Sequence, residues 1–402
     1  MNRIVLTLLG AFPLIAFAAA ADDVPQETNG YTRYELLAPG SAKFRIVYDI
    51  TAARPGATAF FNPIRKGSIA SDESVTDRMT GETLSYRVVT GREAVTTGLP
   101  GGDPNYDYIR VALARPVPAG GEGRIRIDKT YEDAKSYYQT GDTIFFDRSL
   151  GVKRNAVVLP PGYGLIDCNY PVQVAQEADG RIKVSFLNAT PADAPLKLSA
   201  RPMKLAAAPS SVHDRIEERA AQTRDIVYDL HEPDTGTFGL YHDYTEERPG
   251  TSRYINVVRP GSHAANPSAR ILDTGETLTA QILKGDAITK AGIADPDLPK
   301  IDADSEIVVF PFTPLKQGQS IRLRMSETYT DTGRYKLAGD ELVFDRSFAR
   351  PANAVILPKG WQLTNSAVPA SISTTADGRV RLDFLNPRTD EIGVLITARR
   401  ES

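Results

Sequence analysis

The chain has 402 residues, with 47 Lys+Arg set against 50 Asp+Glu for a formal charge of −3. That is longer than one hydrophobic core ordinarily organises, so two or more domains are expected. No block of like charge runs along the chain, which argues against nucleic acid or an anionic membrane as the main partner, since both select concentrated basic patches.

Residues 1–21, within "MNRIVLTLLGAFPLIAFAAAADD", place Arg3 ahead of an apolar run from Ile4 to Phe17 and small residues before Asp22. This is the layout of a cleaved secretory signal peptide, with cleavage near Ala20 or Ala21 and an apolar segment too short for an ordinary span. No later stretch reaches spanning length. The expectation is a secreted protein, periplasmic or extracellular, with no membrane span after cleavage. Its single cysteine, Cys168, can form no intrachain disulfide, so stability must come from packing.

From residue 31 to residue 202 the pattern is that of strands. "RIRIDKTY" and "RIKVSFLN" alternate apolar with polar side chains, and "RPG", "PAGGEG" and "ADGR" separate such runs with turn chemistry. Period-two alternation buries one face and wets the other, as expected for antiparallel sheets packed face to face, so this segment reads as a first β-sandwich repeat. Residues 203–222 form a linker. Around it, "SSVHDRIEERAAQTRDI" offers Ser210 or Ser211 as a cap and sets Val212, Ile216 and Ala220 along one stripe, which predicts a short connecting helix lying against one or both domains.

Residues 223–400 restate the first repeat. Phe146, Asp147, Arg148 and Ser149 return as Phe344, Asp345, Arg346 and Ser347 (344 − 146 = 198), and Arg54, Pro55 and Gly56 return as Arg248, Pro249 and Gly250 (248 − 54 = 194). The change of shift puts four extra residues of the second copy between Leu278 and Tyr329, most simply in "GIADPDLPKIDADSE". A repeat this long is domain duplication and not a stacked array. The expected fold is therefore all-β, two tandem homologous β-sandwich domains made by internal duplication and joined by the short connecting helix.

Retained in both copies are Tyr131, Asp133, Asp147 and Arg148, answered by Tyr329, Asp331, Asp345 and Arg346, along with Asp49/Asp243, Arg54/Arg248, Asn62/Asn256 and Arg65/Arg259. If "FFDRS" is strand, Phe146 and Arg148 face one way and Asp147 and Ser149 the other. Asp147 and Arg148 must then find partners elsewhere, and Arg65, Arg54, Asp49 and Asp133 are the obvious ones. Two roles are open for the retained set: ion pairs that pin loops to the sandwich edge, or a Tyr-Asp-Arg pocket in each domain able to hold a polar ligand. Tyr106 and Tyr108, with further loop tyrosines in "SYYQT" and "PPGYG", make the first unit the preferred binding face.

The chain contains no G-x-S-x-G, no H-E-x-x-H, no Walker-type loop and no G-x-G-x-x-G. No cofactor and no dedicated metal site is implied. His242 with Asp243 are the first residues to test for a metal site assembled by the fold, and Asp295, Asp297, Asp302 and Asp304 are calcium candidates in an oxygen-rich loop that lacks EF-hand spacing.

The fragment "LPKGWQL", Leu357 to Leu363, resembles part of the β-rich N-terminal modules that precede some metallopeptidase domains. It covers only a few residues, the peptidase motif is absent, and no function is carried over from it. The functional expectation is a non-catalytic, exported binding or assembly module acting on a glycan, an envelope polymer or an envelope protein. The alternatives are an enzyme on polysaccharide or peptide that uses the retained Tyr, Asp and Arg residues, and a scaffold for a protein partner.

Overall fold

The structure, a computed structural model, describes residues 26–204, 217–258, 263–293 and 301–401. The expected signal peptide, 1–21, lies outside the described residues. In the first half the strands are β1 (Glu27–Leu36), β2 (Lys43–Ala52), β3 (Ala59–Ile64), β4 (Ile69–Asp77), β5 (Tyr86–Thr90), β6 (Asp107–Ala112), β7 (Gly123–Glu132), β8 (Tyr137–Thr140), β9 (Thr143–Leu150), β10 (Arg154–Val158), β11 (Tyr163–Cys168), β12 (Gln173–Gln176), β13 (Ile182–Leu187) and β14 (Ala194–Pro202), with a short helix α1 (Gly91–Thr97). In the second they are β15 (Asp225–Leu230), β16 (Thr237–Glu246), β17 (Arg253–Val257), β18 (His263–Ile271), β19 (Thr277–Leu278), β20 (Gln281–Lys284), β21 (Glu306–Pro311), β22 (Ile321–Thr330), β23 (Tyr335–Ala338), β24 (Glu341–Phe348), β25 (Ala352–Ile356), β26 (Trp361–Ser366), β27 (Ser371–Thr374), β28 (Val380–Leu385) and β29 (Ile392–Arg400), with α2 (Asp286–Lys290).

Alternation in the sequence becomes alternation in burial. Along β2, Phe44, Ile46, Tyr48 and Ile50 turn inward while Lys43 and Arg45 face solvent. Each half builds a large sheet, β12-β13-β10-β1-β2-β7-β4 or its counterpart β27-β28-β25-β15-β16-β22-β18-β19, packed on a four-stranded sheet, β11-β14-β9-β8 or β26-β29-β24-β23. A three-stranded sheet, β3-β6-β5 or β17-β21-β20, completes each half, and among the described residues no sheet mixes strands of the two. The cores are likewise separate: Phe44, Tyr131, Phe146 and Val157 belong to one, and Phe238, Tyr329, Phe344 and Val355 to the other. The architecture is thus all-β, two β-sandwiches in tandem.

Several details depart from the sequence reading. The large sheets are not wholly antiparallel, because β1 pairs β10 in parallel and β15 pairs β25 in parallel; the long excursion between those strands supplies the crossover that parallel pairing requires. The expected connecting helix falls partly outside the described residues. Of the rest, 217–224 runs as turn and coil, and Asp225 and Ile226 already open β15. Helices form instead at α1 and α2, too short for a periodic signal. Leu113 N–H donates to the Thr58 carbonyl and Phe312 N–H to that of Ser252, a shift of 312 − 113 = 199, whereas Val117 and Leu315 take equivalent bonds at a shift of 198. The second copy therefore has five extra residues ahead of β21, offset by one fewer after it.

The halves are bolted together. Arg124 lays its guanidinium along the Asp273 carboxylate at 2.6 and 3.0 Å and donates to Ser320 Oγ (3.1 Å) and the Ser320 carbonyl (3.0 Å), all buried. Glu122 N–H donates to the Leu272 carbonyl at 2.9 Å, and Ser320 Oγ to that of Arg78 at 2.6 Å. The linker adds ties to both sides: Arg219 donates to the Ala349 carbonyl at 2.8 Å, and Glu218 accepts from Tyr31 and pairs with Lys183.

Candidate functional site

The retained Asp and Arg residues do meet, inside the sandwiches. Arg148 Nη1 lies 3.2 Å from Asp133 Oδ2, and Arg346 Nη1 lies 2.8 Å from Asp331 Oδ2, with all four residues buried. Each guanidinium also sits over core rings, Phe44 at 5.5 Å and Tyr131 at 5.7 Å for Arg148, Phe238 at 5.2 Å and Tyr228 at 5.5 Å for Arg346. Tyr131 and Tyr329 are buried too. Asp147 points the other way, to a surface pair with Lys197 at 3.0 Å, and Asp345 is exposed. Tyr108 is core, its hydroxyl accepting from Asp103 N–H at 3.0 Å, while Tyr106 is partly exposed. None of these ten residues lines either of the two large hollows described below.

The metal candidates come apart in the same way. His242 and Asp243 are neighbours on β16 and so face opposite sides, with both oxygens of Asp243 taken by Arg324 at 2.7 and 2.6 Å. Asp302 accepts from Ser305 Oγ (2.8 Å) and Asp304 N–H (3.1 Å), which is turn chemistry; Asp295 and Asp297 lie outside the described residues. Among the described residues no group of three His, Cys, Asp or Glu side chains is placed to hold a metal ion.

A cleft of about 690 Å³ opens where the halves and the linker meet. β1, β2, β7 and β10 of the first unit, β16, β17 and β22 of the second, residues of the linker between 217 and 222, and Thr223 and Arg224 ahead of β15 supply its walls. Nine arginines line it: Arg78, Arg124, Arg126, Arg154, Arg224, Arg248, Arg253, Arg322 and Arg350. Among the described residues the lining carboxylates are Asp49, Glu217 and Glu247, and Glu246 pairs with Arg248 from just outside the lining. Asp49 is held by Arg126 at 2.6 and 2.8 Å and by Arg78 at 3.3 Å. Arg124 is occupied by Asp273, and Arg322 by Asp225 at 2.8 Å. Burial lowers Arg78 and Arg154 from their ordinary range, Arg124 and Arg126 adding to this at Arg78 and Arg322 at Arg154. Tyr31, Tyr244 and Tyr254 bring rings to the same space, and Arg224 lies 4.5 Å over Tyr244. Planar guanidiniums in excess over carboxylates, beside aromatic faces, can hold an anion by forked hydrogen bonds.

The comparison of the two copies could not have found this site. Arg78, Arg154, Arg224, Arg253 and Arg350 stand where the other copy has Leu272, Ala352, Gly30, Ala59 and Val152 (272 − 78 = 194, 352 − 154 = 198, 224 − 30 = 194, 253 − 59 = 194, 350 − 152 = 198). The available signal was the opposite of retention, arginine gained in one copy at a position apolar or empty in the other. A second hollow of about 590 Å³ lies beside Trp361 and mixes Glu232, Asp234 and Asp340 with Arg399 and Arg400; Arg400 covers the indole at 5.1 Å and pairs with Glu232 at 2.6 Å.

No family model matches the chain, and no curated protein matches it. Among solved structures, an M1 zinc metallopeptidase from Deinococcus radiodurans aligns at 12% identity over 43% of this chain and 41% of that one, with a TM-score of 0.29. A two-domain M1 zinc metallopeptidase bound to L-tryptophan aligns at 13% over 45% and 43%, also at 0.29. Collagen adhesin from S. aureus aligns at 10% over 79% of this chain and 84% of that one, at 0.17. The chain spans less than half the length of the metallopeptidases it matches, and at these TM-scores neither likeness bears on site or function.

Proposed function

We propose that this protein is a non-catalytic, exported binding module whose ligand is an acidic envelope glycan held in the cleft between its two β-sandwiches. The observation that carries this reading is the arginine-rich lining, in which Arg224 and Arg253 pair with no carboxylate among the described residues. Tyr31, Tyr244 and Tyr254 favour a sugar over a bare ion, since their rings offer flat apolar faces with a polar edge. The retained Asp133–Arg148 and Asp331–Arg346 pairs are consumed by each other in the cores, which supports binding over acid–base chemistry at those residues.

Titration calorimetry of the mature protein with oligogalacturonate and with a neutral cello-oligosaccharide tests this. Binding of the acidic oligomer alone, weakening as salt is raised, is expected. Equal binding of the neutral oligomer would overturn it. So would turnover of the polymer abolished by Asp147→Asn, in favour of an enzyme, or a stoichiometric protein partner lost on Tyr106→Ala, in favour of a scaffold.

A further inference from the structure

Resting on the cleft reading, we infer that the ligand's anionic group seats in one corner of the second unit, against Arg224 and His242, where the first unit carries a carboxylate of its own. Position for position, Tyr48, Gly30 and Val152 in the first unit correspond to His242, Arg224 and Arg350 in the second (242 − 48 = 194, 224 − 30 = 194, 350 − 152 = 198); Glu27 opens β1, whereas Ala221, at the same offset, lies exposed in the turn ahead of β15.

In the first unit the corner is full. Tyr48 donates its hydroxyl to the Glu27 carboxylate, and burial, opposed by that hydrogen bond, pushes Glu27 up to about 7. A Cβ added to Gly30 would collide with Glu27 Oε1 and stand 3.2 Å from Tyr48 Cε2 and 3.4 Å from Val152 Cγ1. A longer side chain there would have to displace the Glu27 carboxylate.

In the second unit the carboxylate is gone and cations replace it. Arg224 lies 4.5 Å over Tyr244 and 5.7 Å from Tyr254; its Nε is buried without a hydrogen-bond partner, and no carboxylate pairs with it among the described residues. Both ring nitrogens of His242 are likewise buried and unpartnered, a state that costs free energy until something accepts or donates there. The charged groups that act on His242 are Arg224 and Arg350; burial first, then these two, hold its imidazole down to about 3. Arg224, Arg350, Ala221, Tyr244 and Tyr254 line the cleft, with the His242 ring beside Arg224 and Arg350 but not itself part of the lining. An oxyanion entering would accept from the Arg224 guanidinium and from one His242 N–H, replacing the missing carboxylate, and its charge would raise the imidazole's proton affinity. The chemistry recognised is a single carboxylate or phosphate on a ring that packs against Tyr244 and Tyr254.

The test is calorimetry together with ¹H–¹⁵N spectra of the His242 ring, using oligogalacturonate and inorganic phosphate as probes. Arg224→Gln should weaken oligogalacturonate at least tenfold. Ala221→Glu, which places a carboxylate in the cleft wall beside this corner, should also weaken it while leaving the melting temperature unchanged. In the wild type the His242 resonances should move on binding and the ring should titrate at higher pH. Displacement of oligogalacturonate by phosphate would support a corner that takes either group; binding without displacement would support carboxylate as the group it takes. Wild-type affinity in both variants with an unmoved His242 would overturn the assignment. If Arg78→Gln with Arg253→Gln then weakens binding, the cleft reading stands and only the corner falls; if no anion binds the wild type, both fall.

Discussion

The same buried position carries opposite charges in the two halves. In the first, Lys129 on β7 donates to the side chain of Asn62; in the second, Glu327 on β22 accepts from Asn256 at 2.5 Å (327 − 129 = 198, 256 − 62 = 194). Burial brings both toward neutrality from opposite sides, Lys129 down to about 7, with Arg148 adding to the effect, and Glu327 up to about 7. What the duplicated fold holds fixed here is an asparagine with a hydrogen-bonding partner, and the sign of that partner is free because burial suppresses its charge. Around the cleft the same freedom acts on arginines, which keep their charge even where burial lowers them, as at Arg78 and Arg154, and those gained in single copies give the surface its character.

Breaking the matched ion pairs should have the largest effect. Arg148→Ala and Arg346→Ala each strand a buried carboxylate, and a cost of about 3–5 kcal/mol is expected in either half, measured by denaturant unfolding. Equal, small losses below about 1 kcal/mol would show that these pairs do not hold the sandwiches.

The Lys129 and Glu327 contrast should appear next, as opposite pH trends of roughly 5 kcal/mol for the lysine and roughly 3 kcal/mol for the glutamate. A lysine whose folded pKa is lowered binds more protons unfolded, so its burial penalty is full below about 7 and fades as pH rises toward the ordinary 10.5. Stability therefore climbs across that window, and Lys129→Met should flatten the climb. A glutamate whose folded pKa is raised binds more protons folded, so stability falls as pH rises from 4.5 through about 7. His242, held near 3 against an ordinary 6.5, contributes a rise over its own window, and Glu27, also raised to about 7, a fall of the same sign as Glu327. The Glu327 effect is therefore read as the difference between wild type and Glu327→Gln.

A smaller effect separates fold from site. Asp49–Arg126 and Asp243–Arg324 are matched forked pairs whose arginines are partly exposed. Arg126→Gln should cost about 1 kcal/mol or less, while Arg324→Gln, which strands the buried Asp243, should cost more. Only the first should weaken oligogalacturonate, because Arg126 lines the cleft and Arg324 does not.

Strands were legible wherever alternation met a one-sided core, as in "RIRIDKTY". So was the Asp133–Arg148 pairing, because period-two geometry forbade Arg148 its neighbour Asp147 and left Asp133 among the few retained partners. The β1–β10 parallel ladder was not legible, since burial alternates identically in either direction. Tyr108 was misread as a surface ring because a tyrosine in a Pro- and Asp-rich loop carries no mark of the Asp103 turn that its hydroxyl caps. The cleft was out of reach for a deeper reason. It depends on how Arg124, Asp273 and Ser320 dock one sandwich on the other, and single-copy arginines are silent in a comparison that looks for likeness.

A crystal structure grown with oligogalacturonate tests the central claim most directly. The account predicts density for the acidic sugar between Arg78 and Arg126 of the first half and Arg224 and Arg253 of the second. Density only in the hollow beside Trp361, or at the exposed tyrosines of the first half, would contradict it.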